Sequence, residues 1–203
     1  MCEVKEMNEN VWCMSEVVTF CSKKKEYECL SNFWECKIVI VDREEGVERV
    51  YNSGELCFHG EKFIRLSKIC KDEDRKEKLY KYGMRFVDGG DILSSRDAKS
   101  KGGKGKNGFR LNGEELGEWA SISEEVQYEI CKYKINNYKE VEEFLENNRG
   151  YLFIHSIGRI GIEKMKERIW EGKFVEKEDG SFEVVGGNKL GYMWMKFRWG
   201  EMF

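Results

Sequence analysis

The sequence predicts a mainly helical α+β fold with one small β-hairpin. Apolar residues recur at helical spacing in several segments, whereas residues 37 to 51 have the β-branched composition of two strands. The chain has 203 residues, of which 40% are hydrophobic, and this is enough for one sizeable core. Because proline is absent, glycine, asparagine and aspartate are left to mark the turns.

The first quarter of the chain predicts an arm and then a hairpin. Residues 1 to 15 are polar and weakly patterned, so we expect a loosely ordered arm before a single domain over residues 16 to 203. Residues 37 to 42 and 47 to 51 are strand-like, and residues 44 to 46 form a turn signal between them. Together they predict the hairpin.

Helical periodicity dominates the remainder of the chain. A helix is expected from residue 55 to about 70, and a shorter one over residues 73 to 83. Residues 89 to 113 are rich in glycine and lysine without periodicity, which predicts a long functional loop. Ser121 and Glu124 have capping-box spacing, so the next helix is expected to begin there. The other expected elements are a helix over 139 to 147, a buried segment over 152 to 154, a short helix or turn over 162 to 170, a strand over 182 to 185 and a helix from 188.

The composition excludes several classes of function. Basic and acidic residues nearly cancel, 35 against 38, so no bulk binding of nucleic acid is expected. The eight cysteines include no C-x-x-C pair, and the chain starts without an apolar signal core, so we expect reduced thiols, no metal and a cytoplasmic location. The longest aliphatic run, residues 38 to 41, is far shorter than the roughly 20 residues of a membrane span.

Three residues in the first expected helix form a candidate site. Glu55, Phe58 and Lys62 lie at i, i+3 and i+7, which places a carboxylate, a ring and an amine on one side of the helix. The two charges are separated by roughly 10 Å of axial rise, about the span of a nucleoside. The alternative is that both charges are solvated and Phe58 packs in the core.

Further segments follow in an order that resembles a known family. They are Phe20-Cys21-Ser22, Leu30-Ser31-Asn32-Phe33, Glu55 through Phe63, Ala98-Lys99 with Gly102-Gly103-Lys104, Trp119, Trp170, and Gly186 through Met195. In order and approximate spacing this pattern resembles the NADAR family, also called YbiA-like, whose members are N-glycosidases of ribosylamine or ADP-ribosyl compounds. The resemblance implies a single-domain YbiA-like architecture. The chain departs from the family pattern at Leu56-Cys57, Glu167 and Glu171.

The resemblance implies catalytic roles for Glu55, Lys62 and Glu167. Breaking an N-glycosidic bond develops positive charge at the anomeric carbon, so a carboxylate such as Glu55 can stabilise it and deprotonate water. Glu167 is a candidate second acid or base, or else a surface glutamate. Lys62 is a candidate Schiff-base nucleophile, or else the partner of Glu55 or Glu61 in an ion pair.

The resemblance also implies a set of substrate-binding residues. Trp119 and Trp170 are suited to stacking on a base, or else to the core. Asn32 and Asn188 are suited to hydrogen bonds with ribose or base, or to capping the backbone. The glycine- and lysine-rich loop is suited to binding phosphate, or else is solvated surface. The full candidate set is Asn32, Phe58, Gly103, Lys104, Trp119, Trp170 and Asn188.

The resemblance therefore implies an N-glycosidase that cleaves the bond between ribose and an amine-bearing heterocycle, and this chemistry requires no metal and no cofactor. The partner implied is a small nucleotide-like substrate, either a ribosylaminopyrimidine of riboflavin synthesis or ADP-ribosylated guanine. His59-Gly60-Glu61 matches the H-x-E of zinc deaminases, but the chain lacks their Pro-Cys-x-x-Cys. The rival hypothesis is a catalytically degenerate module that binds ADP-ribose or a nucleotide. The oligomeric state is not predicted.

Overall fold

The structure is a computed structural model. It describes residues 17–21, 25–42, 44–103, 108–158 and 160–198. The chain divides into two compact units, the larger being Glu28–Val141 and the smaller combining Met1–Tyr27 with Glu142–Phe203. The expected arm, residues 1 to 15, lies outside the described residues, and the single domain from residue 16 stays a prediction. None of the described helices is long and apolar enough to cross a membrane.

The described elements are mainly helical, which confirms the expected α+β class. In chain order they are β1 (Val17–Phe20), a 3-10 helix (Lys25–Leu30), β2 (Glu35–Val41), β3 (Glu48–Ser53), α1 (Gly54–Ile69), α2 (Glu73–Met84), α3 (Ser95–Gly102), α4 (Gly113–Asn137), α5 (Lys139–Asn147), β4 (Leu152–His155), α6 (Ile162–Lys166), β5 (Lys173–Glu176), β6 (Phe182–Val185) and α7 (Lys189–Arg198).

In the larger unit, the predicted hairpin is formed by β2 and β3 and leads directly into α1. The strands are antiparallel, with Val39 opposite Val50. Ser53 ends β3 and also caps α1, because its side chain accepts a hydrogen bond from the Leu56 backbone N–H. No loop separates the strand from the helix.

Helix α1 is buried on nearly all sides within this unit. Close approach of its neighbours depends on glycine at two positions. A Cβ on Gly60 would lie 2.6 Å from the Tyr51 ring, and a Cβ on Gly83 of α2 would lie 2.6 Å from Ile64 of α1. The buried residues of α1 are Gly54, Glu55, Leu56, Cys57, His59, Gly60, Glu61, Lys62, Phe63, Ile64, Leu66 and Ser67.

One of these buried residues, Glu61, is the centre of an ion-pair network. Its carboxylate accepts hydrogen bonds from Arg49 Nε at 2.9 Å, from the Tyr51 hydroxyl at 2.7 Å and from Arg65 Nε at 3.2 Å. Arg49 also donates to Asp42 at 3.1 Å. Hydrogen bonds from Lys68 and Arg49 lower the pKa of Asp42. The charge of Glu61 is thus compensated by groups from the hairpin and from α1 itself.

The expected long loop is wrong in part, because α3 lies within it. Ser94 caps this helix by accepting a hydrogen bond from the Asp97 backbone N–H. Ala98 and Gly102 are the buried residues of α3. The high glycine and lysine content of this segment is typical of a loop, so the sequence did not predict the short helix. The cap residue Ser94 is the local mark of its start.

The expected start of the next helix at Ser121 is also wrong. Helix α4 begins at Gly113, and Asn112 and Glu115 form the capping box with reciprocal hydrogen bonds of 2.8 and 2.7 Å. Ser121 lies inside the helix, where its hydroxyl donates to the carbonyl oxygen of Glu118. Both segments have capping-box spacing, so the pattern alone does not distinguish them.

The smaller unit contains two further strand pairs and α7. Strands β1 and β4 are parallel, with Val18 opposite Phe153, so the expected buried segment is a strand. Strands β5 and β6 form a second hairpin, in which the Phe174 and Phe182 rings stack with centroids 4.7 Å apart. The expected C-terminal helix is confirmed as α7.

We expect Asn112→Ala to destabilise the protein by about 1 kcal/mol, because it removes the N-cap of α4. Ser121→Ala is the matched control and should change stability by no more than about 0.5 kcal/mol. Urea unfolding followed by circular dichroism measures both. Equal losses in the two variants would contradict the observed start of the helix.

We expect Glu61→Gln to destabilise the protein by about 3 to 5 kcal/mol, because it leaves two arginines beside a buried neutral amide. Glu77→Gln, which removes an exposed pair with Lys81, is the control and should leave the unfolding midpoint unchanged. A small effect of Glu61→Gln in urea unfolding would show that the network contributes little.

Candidate active site

The candidate site is the face of α1 that carries Glu55, His59 and Lys62. Glu55 and His59 are each 8% exposed, and Lys62 is 6% exposed. His59 follows Glu55 by one helical turn, and its Nε2 lies 3.3 Å from Glu55 Oε1. Three titratable side chains are therefore buried on one face of one helix.

Lys62 is held by the backbone of α3. Its Nζ donates a hydrogen bond to the carbonyl oxygen of Gly102 and lies 4.6 Å from the centre of the Phe63 ring. No ion pair within 4 Å joins it to Glu55 or Glu61 among the described residues. The ion pair expected as an alternative role for Lys62 is therefore not formed.

Burial lowers the pKa of Lys62 to about 8, although the charge of Glu55 acts in the opposite direction. With this pKa, roughly one protein molecule in ten has an uncharged Lys62 amine at pH 7. For an exposed lysine the uncharged fraction is less than about one in a thousand. The neutral amine can donate to Gly102 and still present its lone pair. Lys62 is thus chemically suited to act as a nucleophile.

Four other candidate residues lie in the larger unit. The Phe58 ring meets the half-buried Trp119 ring of α4 edge-on, with centroids 5.0 Å apart. Asn32 exchanges hydrogen bonds with the Gln127 amide at 2.7 and 3.0 Å, and its backbone oxygen accepts from the Glu55 N–H at 2.8 Å. Gly103 is the C-cap of α3. The remaining loop candidate, Lys104, lies outside the described residues.

The other three candidates belong to the smaller unit. Glu167 is exposed at the C-terminal end of α6, and Trp170 is half-buried with its carbonyl oxygen 3.2 Å from His155 Nδ1. Asn188 is fully buried at a positive φ of 44°, and its amide bonds the backbone of Phe153 and His155. These hydrogen bonds join Asn188 to β4. The catalytic or substrate-binding roles of Glu167, Trp170 and Asn188 stay predictions.

The sequence argument missed two parts of the site. His59 was considered only within a deaminase motif, although its i+4 spacing from Glu55 was a usable signal. No sequence signal could have predicted the contact of Lys62 with Gly102. The acceptor is a backbone oxygen 40 residues away, and every residue type has such an oxygen. No group of three metal-binding side chains occurs in the part of the chain that the structure describes.

The described elements define a YbiA-like fold of the α+β class. The NMR structure of the E. coli protein YbiA is similar to this chain, with a TM-score of 0.54, over 95% of this chain and 89% of that chain. The two sequences are 19% identical, so the likeness concerns the fold. The sequence matches no family model and no curated protein. The YbiA-like fold implied by the sequence resemblance is confirmed.

We expect Lys62→Met to raise the free energy of unfolding by about 1 to 3 kcal/mol at pH 7, because it removes a buried charge. The unfolded lysine keeps its proton up to about pH 10.5, whereas the folded one loses it near pH 8. The advantage of the variant should therefore be full below pH 8 and shrink as the pH rises toward 10.5. Urea unfolding at pH 7 and 9.5 measures it.

The control for this experiment is Lys81→Met, because the Lys81 side chain is 72% exposed. This variant should leave the free energy of unfolding unchanged at both pH values. A pH-independent difference between Lys62→Met and the native protein would contradict the lowered pKa of Lys62.

Proposed function

We propose that the protein is an N-glycosidase that hydrolyses the C–N bond between ribose and an amine-bearing heterocycle. The observation that carries this proposal is the buried Lys62 amine, with its lowered pKa, on the same helix face as Glu55. The YbiA-like fold and the order of the sequence motifs support the same activity.

In the simplest mechanism Glu55 acts as a general base. The electron pair of the C–N bond leaves with the nitrogen, which takes up a proton from solvent, and the positive charge at the anomeric carbon is shared with the ring oxygen. Water then adds to this carbon and gives a proton to Glu55. The products are the sugar and the free amine, and Glu55 returns its proton to solvent.

A covalent route uses Lys62. When the sugar ring opens, the bond between the anomeric carbon and nitrogen becomes an iminium, which the neutral Lys62 amine can attack. The nitrogen of the heterocycle leaves as an amine after proton transfer, and Lys62 is left joined to the sugar as an imine. Water hydrolyses this imine to the aldehyde form of the sugar and restores the lysine.

We propose a small nucleotide-like substrate, either a ribosylaminopyrimidine of riboflavin synthesis or ADP-ribosylated guanine. The Phe58 and Trp119 rings, which pack against each other beside this face of α1, are suited to contact with an aromatic heterocycle. The described cysteines are free thiols, which is compatible with a proposed cytoplasmic location.

The second candidate function is binding of ADP-ribose or a nucleotide without turnover. It is favoured by Leu56 and Cys57, which depart from the resemblance immediately after Glu55. Both residues belong to the hydrophobic core of the larger unit. Their departure is therefore also accounted for by packing, and binding without product formation is the result that would favour this alternative.

Incubation with ADP-ribosyl-guanosine and with a ribosylaminopyrimidine, followed by mass detection of the freed base, tests the activity. We expect Glu55→Gln to keep the fold and to lower turnover by a factor of about 100 or more. Glu77→Gln on the exposed face of α2 is the control. Unchanged turnover in Glu55→Gln would remove Glu55 from the mechanism, and the same comparison with Glu167→Gln tests the second carboxylate.

We expect borohydride added during turnover to trap a sugar adduct on Lys62, because reduction converts an imine to a stable amine. Peptide mapping by mass spectrometry locates the adduct. Lys62→Arg keeps the charge but has no nucleophilic amine, so it should be inactive. Turnover without an adduct, together with an active Lys62→Arg, would establish direct attack by water.

A further inference from the structure

The imidazole of His59 lies between Glu55 and the end of α3. Its Nε2 is 3.3 Å from Glu55 Oε1. Its Nδ1 is buried and has no hydrogen bond partner among the residues that the structure describes. Because an ionised carboxylate only accepts hydrogen bonds, the proton of a neutral ring belongs on Nε2. Nδ1 is then a buried acceptor without a donor.

The surroundings keep this ring neutral near pH 7. Burial lowers the pKa of His59 below 6.5, and the charges of Lys62 on α1 and Lys99 on α3 act in the same direction. Only Glu55, by its hydrogen bond and its charge, raises the pKa. The ring therefore approaches Glu55 as an uncharged donor.

Apolar groups pack closely around His59. Its ring meets that of Phe58 edge-on and lies tilted to that of Phe86, with centroids 5.7 and 6.3 Å away, and a Cβ on Gly102 would lie 2.4 Å from Nδ1. A buried acceptor without a donor is unfavourable, and a leucine here would avoid it. What distinguishes histidine from leucine at this position is Nε2, which lies 3.3 Å from Glu55 Oε1.

We propose that His59 is a positioning residue for Glu55, holding one carboxylate oxygen through its Nε2–H so that the base keeps one orientation toward the substrate. This inference rests on the proposed function. A glutamate side chain has three rotatable torsions, and fixing them reduces the entropy lost on reaching the transition state. His59 keeps its proton throughout, since the proton of the attacking water goes to Glu55.

This role makes turnover sensitive to acid. Protonation of His59 adds an N–H at Nδ1, where no acceptor is described, and converts the contact with Glu55 into a charged pair. A carboxylate in a charged pair is a weaker base. Turnover should therefore fall more steeply below pH 6.5 than one carboxylate alone would cause.

The kinetic test compares His59→Leu, which fills the space without a donor, with His59→Gln, whose amide N–H can reach the carboxylate. We expect His59→Leu to lower kcat about 10- to 100-fold with KM changed less than about threefold, and His59→Gln to keep kcat within about fivefold. The acid limb of kcat should become less steep in His59→Gln. A kcat within twofold in His59→Leu, or equal losses in both variants, overturns the proposal.

If His59→Leu fails to fold, the pH profile of His59→Gln decides, and an unchanged acid limb overturns the proposal. A second measurement needs no activity. The chain has two histidines, so nitrogen NMR of the native protein, assigned with His155→Gln, reports the His59 tautomer. We expect the Nε2–H form at pH 7.5 and loss of that preference in Glu55→Ala, which has no acceptor for this proton. An Nδ1–H form overturns the proposal, whereas an inactive native protein with the Nε2–H form refutes the proposed function alone.

Discussion

The larger unit depends on the burial of charge along α1. The carboxylate of Glu61 is completely buried, and it is stable there because Arg49, Tyr51 and Arg65 all donate to it. Arg49 comes from β3, so this charge ties the hairpin to the helix. Arg65 extends the network to α4 by its contact with Glu129. Packing and charge compensation therefore specify the same arrangement of hairpin, α1 and α4.

The candidate site is the part of α1 where this compensation is incomplete. Glu55 contacts the imidazole of His59 rather than an arginine, and Lys62 donates to a backbone oxygen rather than to a carboxylate. A protein selected for stability alone would pair or remove such charges. Two carboxylates on one helix thus have different environments: Glu61 is held by three donors, whereas Glu55 contacts the imidazole of His59, which is compatible with the chemical role proposed for Glu55.

The sequence predicted the elements whose patterns are local. The hairpin was predicted from its β-branched residues and the turn signal between them, and α1 and α7 from apolar residues at helical spacing. Helix α3 was missed because its composition is that of a loop, and the start of α4 because Asn112 and Ser121 begin equivalent patterns. The grouping of Glu55 with Lys62 followed from helical spacing. Sequence spacing did not predict that Arg49 contacts Glu61 or that Gly102 contacts Lys62. These contacts join separate segments of the chain, so they form only in the folded protein.

The absence of a loop between β3 and α1 links strand pairing to the chemistry of the helix. Ser53 belongs to both elements, so the register of the hairpin sets the rotational phase of α1. A single residue inserted at this junction would turn the helix by about 100° and carry Lys62 away from Gly102. The length of the hairpin turn at Gly46 does not affect the rotation of α1, because an insertion there leaves the junction between β3 and α1 intact. Variation in length should therefore accumulate at the turn and be excluded from the junction.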